Sequence, residues 1–153
     1  MATQHRSITI ERTPGGGHTV TNSRGGQLTF ASGDDAAFTP VELLLAAIGG
    51  CTALDVAALT SRRAEPEEFR VEVSANKVRD EGGNRLTDIQ VTFHVSFPDT
   101  PEGDAARGIL PTAVQRSHDR LCTVSRTVEL GTPVASVIDE GRDSAATAQV
   151  TET

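Results

Sequence analysis

The chain reads as an α+β domain in which antiparallel sheets pack around one long buried helix. Three observations predict this. Residues 39–63 form an apolar-rich helical stretch opened by Thr39-Pro40-Val41-Glu42. Residues 69–78 and 86–97 alternate apolar and polar positions on either side of Asp80-Glu81-Gly82-Gly83-Asn84, the pattern of a hairpin with one solvated face. Short apolar runs punctuated by glycine and proline precede and follow these two features.

The elements follow in order. Residues 7–12 put Ile8 and Ile10 on one face of a strand, which Pro14-Gly15-Gly16-Gly17 breaks. Residues 18–21 and 27–30 add two short strands and complete an N-terminal meander. Thr39 suits an N-cap, Pro40 the first helical position and Glu42 the acid of a capping box. The helix is predicted to run to Arg63 or Ala64, before Glu65-Pro66 stops it. It is apolar nearly all round, so burial on most sides is expected. Gly49-Gly50 in its middle costs roughly 1 kcal/mol per glycine relative to alanine, so another backbone or a bound molecule is expected to approach closely there.

In the hairpin, Ile89, Val91, Phe93, Val95 and Phe97 point inward, and Gln90, Thr92, His94 and Ser96 outward. Asp99-Thr100-Pro101-Glu102 opens a short helix interrupted by Gly108 and Pro111. Pro111 suits the first position of a second helix ending near Cys122. Residues 125–130 and 133–138 read as the last strands. One domain therefore covers residues 1–138. The Gly-, Ser-, Ala-, Thr- and acid-rich residues 139–153 read as a disordered tail.

At 153 residues one domain is the default. A net charge of −7 with no basic cluster argues against nucleic acid, whose phosphates demand a basic face. Five Phe with no Tyr or Trp leave no base-stacking platform. The N-terminus lacks an apolar leader. The longest uncharged apolar-rich stretch, residues 43–54, is shorter than the roughly 20 residues of a membrane span. A cytoplasmic protein that does not bind membranes is expected. In that compartment structural disulfides are rare, so two cysteines point to reduced, catalytic or redox-sensing thiols. A small core of Val, Leu, Ala and Ile favours burying more surface by oligomerising.

The two cysteines are the chemical candidates. Cys51 ends the run Leu43-Leu44-Leu45-Ala46-Ala47-Ile48-Gly49-Gly50, and Cys122 ends Ser117-His118-Asp119-Arg120-Leu121. A thiol reacts as thiolate, with an ordinary pKa of about 8.5. Cys51 lies too far past the helix start for the dipole to help, and apolar burial alone would make it inert. A reactive Cys51 therefore calls for a nearby cation, from Arg12, His18, Arg24, Arg120 or Arg126. The plainer alternative is a small core hydrophobe. His18 reads otherwise as a strand-edge polar residue and Glu42 as a cap. His118 and Cys122 share a helix face, but no CxxC or HExxH completes a metal site, and neither a metal nor a bound cofactor is predicted.

The segment Phe38-Thr39-Pro40-Val41-Glu42-Leu43-Leu44-Leu45-Ala46-Ala47-Ile48-Gly49-Gly50-Cys51-Thr52 resembles the central-helix signature of the OsmC/Ohr family of osmotically induced and organic hydroperoxide resistance proteins. Cys122-Thr123-Val124-Ser125-Arg126-Thr127-Val128 resembles its second motif. The two stand in the family's order, and the likeness covers residues 7–138. The resemblance implies an OsmC-like fold in an intertwined homodimer with the long helices at its centre. It implies a cysteine peroxidase acting on organic hydroperoxides, with Cys51 attacking and Cys122 resolving. An external dithiol, of the lipoylated-protein type, would be the reductant.

The chain departs from the best-understood branch in three places. Val41 stands where that branch has Glu. No Arg follows Gly15-Gly16-Gly17 in the early strands, where His18 stands, and Thr123 replaces the Pro after Cys122. Val41 lies about 80° around the helix from Cys51 and Glu42 about 180°, so Glu42 cannot simply take over. The chain thus resembles the divergent OsmC-like branch, where Arg126 is the candidate thiolate-stabilising cation and His18 or Arg24 the fallback. Two further readings stand beside the peroxidase: a non-catalytic module that binds a small apolar ligand, and a redox sensor switched by a Cys51–Cys122 disulfide.

Overall fold

The computed structural model describes residues 2–139 and 148–150. Three antiparallel strands, β1 (Ile8–Arg12), β2 (His18–Asn22) and β3 (Gln27–Phe30), form the N-terminal meander in the order β1-β2-β3. Its register places Ile10, Val20 and Leu28 in one cross-strand row. Ile8 and Ile10 are 57% and 51% exposed, so this apolar face has no cover among the described residues.

Helix α1 (Pro40–Thr60) begins as its sequence dictates. The Thr39 hydroxyl accepts from the Glu42 N–H at 3.2 Å, and the Glu42 carboxylate accepts from the Thr39 N–H at 2.7 Å. That reciprocal pair satisfies two of the donors a helix start leaves open. The helix ends at Thr60, a few residues before the predicted stop, and Arg63 and Ala64 both donate back to the Thr60 carbonyl in a closing turn. It packs against α2 (Pro101–Arg116), β4 (Glu68–Asp80) and the segment around Cys122.

Burial on most sides is not what the chain shows. Ile48, Gly49, Thr52, Val56 and Thr60 are buried. Ala47, Gly50, Leu54 and Ala58 are exposed, recurring at helical spacing. Leu54 is 75% exposed. The helix is apolar all round and has a second face that the described residues leave uncovered.

The Gly49-Gly50 pair splits between the two faces. A Cβ on Gly49 would lie 2.4 Å from Val73 Cγ2, so glycine lets β4 approach the helix there. A Cβ on Gly50 would meet nothing. The long hairpin pairs β4 with β5 (Gly83–Ser96) from Glu68↔Ser96 to Asp80↔Gly83, with one irregularity at Ser74/Asn76.

Helix α2 is capped by Thr100, whose hydroxyl accepts from the Gly103 N–H at 3.0 Å. A Cβ at Gly103 would lie 1.8 Å from the Pro98 carbonyl oxygen, so the chain enters the helix against its own first turn. Pro111 does not start a new helix. It sits inside a continuous α2 and removes one ladder hydrogen bond without ending it. α2 then widens into a π turn, Ser117–Leu121, closed by the Cys122 N–H donating to the Ser117 carbonyl at 2.9 Å.

Residues 125–130 are not a strand. Their β-branched residues suggested one, but Thr123–Glu129 form α3, with Cys122 as its N-cap and the Thr127 hydroxyl bonded to the Thr123 carbonyl. The last predicted strand is shorter than expected, as β6 (Ser136–Ile138). Within the segment expected to be a disordered tail, Ala148–Val150 form β7, antiparallel to β6. Residues 140–147 and 151–153 of that segment lie outside the described residues.

The 21 residues of α1 are long and apolar enough to cross a membrane by length and composition alone. Its cap, its packing against α2 and β4 and its two Thr hydroxyls bonded to the Ile48 and Val56 carbonyls identify a core helix.

Candidate functional site

The fold brings Cys51, in the middle of α1, close enough to Cys122, at the junction of the π turn and α3, for each thiol to act on the other. Both thiols are free. Cys122 is fully buried and Cys51 half-buried. The first turn of α3 serves both. The Ser125 N–H donates to the Cys122 sulfur at 3.3 Å, and the Val124 N–H favours the thiolate of Cys51.

The surroundings of the two sulfurs differ sharply. Burial pushes Cys122 upward. Hydrogen bonds from the Ser125 hydroxyl, the Ser125 N–H, the Thr52 hydroxyl and the Cys51 thiol outweigh it, and the net displacement is below the ordinary thiol value. Ser125 Oγ lies 3.1 Å from the sulfur and Thr52 Oγ1 3.6 Å. The Thr52 hydroxyl divides its proton between Cys122 and the Ile48 carbonyl, 3.1 Å away. Cys51 is displaced the other way, by burial first and then by Cys122 and the Asp55 carboxylate; the Val124 N–H opposes this without reversing it.

Asp55 stands one turn beyond Cys51, and its Oδ2 accepts from the buried Ser117 hydroxyl at 2.8 Å. A cavity of about 300 Å³ opens beside Thr52 and Ser125, the two hydroxyl partners of Cys122; neither cysteine is part of its lining. Thr52 and Ser125 line its thiol side, Ile89, Val91 and Phe93 of β5 its apolar wall, and His118 and Glu129 its polar edge. His118 Nε2 is 3.8 Å from Glu129 Oε1.

Of the residues singled out from sequence, only Cys51 and Cys122 meet. The Glu42 carboxylate is occupied by Thr39, whose backbone N–H above all holds it below the usual carboxylate range. His18 stacks on Phe30 in the meander, with ring centres 5.2 Å apart. Arg126 donates its backbone N–H to the Cys122 carbonyl at 3.2 Å, and its guanidinium is not among the leading influences on either thiol. Neither are Arg12, Arg24 or Arg120. His118 turns to Glu129. Among the described residues no group of three or more His, Cys, Asp or Glu is placed to hold a metal ion.

The sequence reading missed Thr52, Asp55, Ser117 and Ser125. Two signals were available: Asp55 is four residues after Cys51, on the same helix face, and Ser125 is three after Cys122, the spacing of a cap and its N3 partner.

The sequence model for the OsmC-like protein family matches residues 33–137, from the loop before α1 to β6. The chain belongs to the OsmC-like family. An uncharacterized protein of Mycobacterium tuberculosis is 29% identical over 134 residues, covering 86% of this chain and 96% of that one. Two solved structures share the fold at lower identity. An OsmC-like protein from Mycoplasma pneumoniae has a TM-score of 0.66 at 13% identity, over 84% of this chain and 89% of that one. The organic hydroperoxide resistance protein OhrB of Bacillus subtilis has a TM-score of 0.50 at 18% identity, over 82% and 92%. The OsmC-like fold thus accounts for the antiparallel sheets, the central helix and the junction where the second cysteine sits.

Proposed function

We propose that the chain is a thiol-dependent peroxidase that reduces organic hydroperoxides, with hydrogen peroxide as a second substrate. The observation that carries this reading is the meeting of two reduced thiols that lie far apart in sequence. Cys51, the more exposed sulfur, attacks the O–O bond. It becomes a sulfenic acid, and the alkoxide leaves as the alcohol. Cys122 then displaces hydroxide from the sulfenic sulfur, which leaves as water, and a Cys51–Cys122 disulfide forms. An external dithiol of the lipoyl type resets the pair by thiol–disulfide exchange.

The working unit is a homodimer in the cytoplasm. The uncovered α1 face and the exposed meander row support this, because each leaves apolar area in water that a second copy would bury. Peroxide consumption with cumene hydroperoxide and dihydrolipoamide, comparing the wild type with Cys51→Ser, tests the function. Loss of turnover in the variant is expected, and equal consumption by both proteins overturns the reading.

One observation favours a second reading. Cys51 is held in its protonated form by burial, which suits a small apolar-ligand module in which Cys51 only lines the site. Slow alkylation of both cysteines, with no disulfide after peroxide, would support that module. A disulfide that forms without turnover by any dithiol would instead indicate a redox sensor.

A further inference from the structure

Cys122 is 0% exposed, and burial by itself makes a thiol inert. Its sulfur nonetheless has three polar partners besides Cys51: Ser125 Oγ at 3.1 Å, Ser125 N at 3.3 Å and Thr52 Oγ1 at 3.6 Å. As a thiol it can give a proton to Ser125 Oγ. Once ionised it accepts the same hydroxyl's proton, because a hydroxyl rotates to suit. These hydrogen bonds favour the anion against the cost of burying its charge.

Cys51 has the opposite setting, with one N–H and a carboxylate one turn away. The elements packed around the pair carry Glu42 and Asp55 on α1, Glu102, Asp104, Arg107 and Arg116 on α2, His118, Asp119 and Arg120 on the π turn, and Arg126 and Glu129 on α3. On the hairpin, Arg70, Glu72 and His94 pair with one another. Of all these, Asp55 is the one that acts on the pair, and it disfavours negative charge at Cys51.

We propose that Cys51 and Cys122 work as a one-proton pair, in which Cys122, held by the hydroxyls of Ser125 and Thr52, takes up the proton that Cys51 releases as it attacks the peroxide. The attack step rests on the peroxidase reading above. With three polar partners on its sulfur, Cys122 is the one that ionises first, which leaves Cys51 the thiol of the singly ionised pair. As the Cys51 sulfur bonds to the nearer peroxide oxygen, the O–O bond breaks and the Cys51 proton passes to Cys122. The departing alkoxide then takes that proton and leaves as the alcohol. Cys51 is now the sulfenic acid, and Cys122 is again a thiolate, ready to displace hydroxide. Ser125 and Thr52 are positioning residues, since they act through the Cys122 sulfur to which they are hydrogen-bonded. A thiolate standing as the proton acceptor takes the place of a stabilising cation.

The reduced full-length chain, labelled with ¹³Cβ-cysteine and assigned with Cys51→Ser, tests the pair by NMR titration, a readout insensitive to reagent access. Cys122 is expected to ionise first. Ser125→Ala should move its midpoint to more alkaline pH, and Ser125→Thr should restore it. Ser125→Ala should also slow sulfenate formation at neutral pH by roughly tenfold, the effect of one hydrogen bond to a charged group. The deficit should close as pH rises, which a merely structural defect would not do. If Ser125→Ala does not fold, Thr52→Val carries the same expectation. Ionisation of Cys51 first, or a Cys122 midpoint indifferent to both substitutions, overturns the pair. A wild type that consumes no peroxide but titrates in the expected order supports the pair and overturns the peroxidase reading alone.

Discussion

The Ser117 hydroxyl donates to the Asp55 carboxylate at 2.8 Å, tying the π turn to α1 one turn beyond Cys51. Ser117 is fully buried, so without Asp55 its hydroxyl would lose its partner. The same bond fixes the carboxylate whose charge discourages ionisation of Cys51. One interaction thus serves both the packing of the junction and the electrostatics of the site.

Asp55→Asn keeps an acceptor for Ser117 and removes the charge. Cys51 should then ionise more readily. Its alkylation by iodoacetamide at neutral pH should quicken by roughly two- to tenfold, the range of a partly screened charge pair. Peptide mass mapping of the alkylated chain measures it, and an unchanged rate at Cys51 would show that Asp55 does not govern this thiol.

Gly49→Ala and Gly50→Ala should have opposite effects on the folded chain. At Gly49 the new methyl meets Val73 at 2.4 Å, an overpacking typically costing about 1–3 kcal/mol and exceeding the gain in helix propensity. At Gly50 nothing among the described residues of the chain is in the way, so the propensity gain of roughly 1 kcal/mol should appear in the monomer. Urea unfolding of both variants checks the order of stability.

Thr39→Ala should cost about 1 kcal/mol through loss of the α1 cap. The Glu42 half of the cap brings a pH dependence. Its carboxyl is held low chiefly by the Thr39 N–H, so it contributes stability above its unfolded pKa and loses it as pH falls through its folded value. Glu42→Gln retains an acceptor for the box and should flatten that part of the acid unfolding profile. Thermal melts from neutral to acid pH would show whether the two profiles diverge.

Leu54→Glu should leave the monomer fold intact, because Leu54 is 75% exposed. It should split the proposed homodimer by placing charge in its centre. Sedimentation equilibrium should give dimer mass for wild type and monomer mass for the variant. A wild-type monomer at micromolar concentration would remove the dimer from the functional reading.

Much of the fold was legible because its local signals agreed with one another. Thr39, Pro40 and Glu42 announce α1, and the alternation from Ile89 to Phe97 announces β5. The misreadings came where local preference conflicted with tertiary context. Thr123, Val124, Thr127 and Val128 favour a strand, but the cap at Cys122 and packing against α1 hold them in a helix. Pro111 favours a break, but α2 runs through it. At the site, the two cysteines were visible from their motifs, whereas their partners were not. Thr52, Asp55 and Ser117 acquire meaning only when the π turn is laid against α1, a contact that no sequence period encodes.

The π turn fits one more residue between Ser117 and Cys122 than a regular ladder would. Each residue of helix advances the phase by about 100°. Loss of a single codon within Ser117–Leu121 would restore the regular ladder and rotate everything downstream by that angle, carrying Cys122 away from Thr52. The neighbouring helices could keep their lengths and their packing. One in-frame deletion could thus part the two cysteines while retaining a stable scaffold, so the proposed function depends on the length of this turn as well as on the presence of both cysteines.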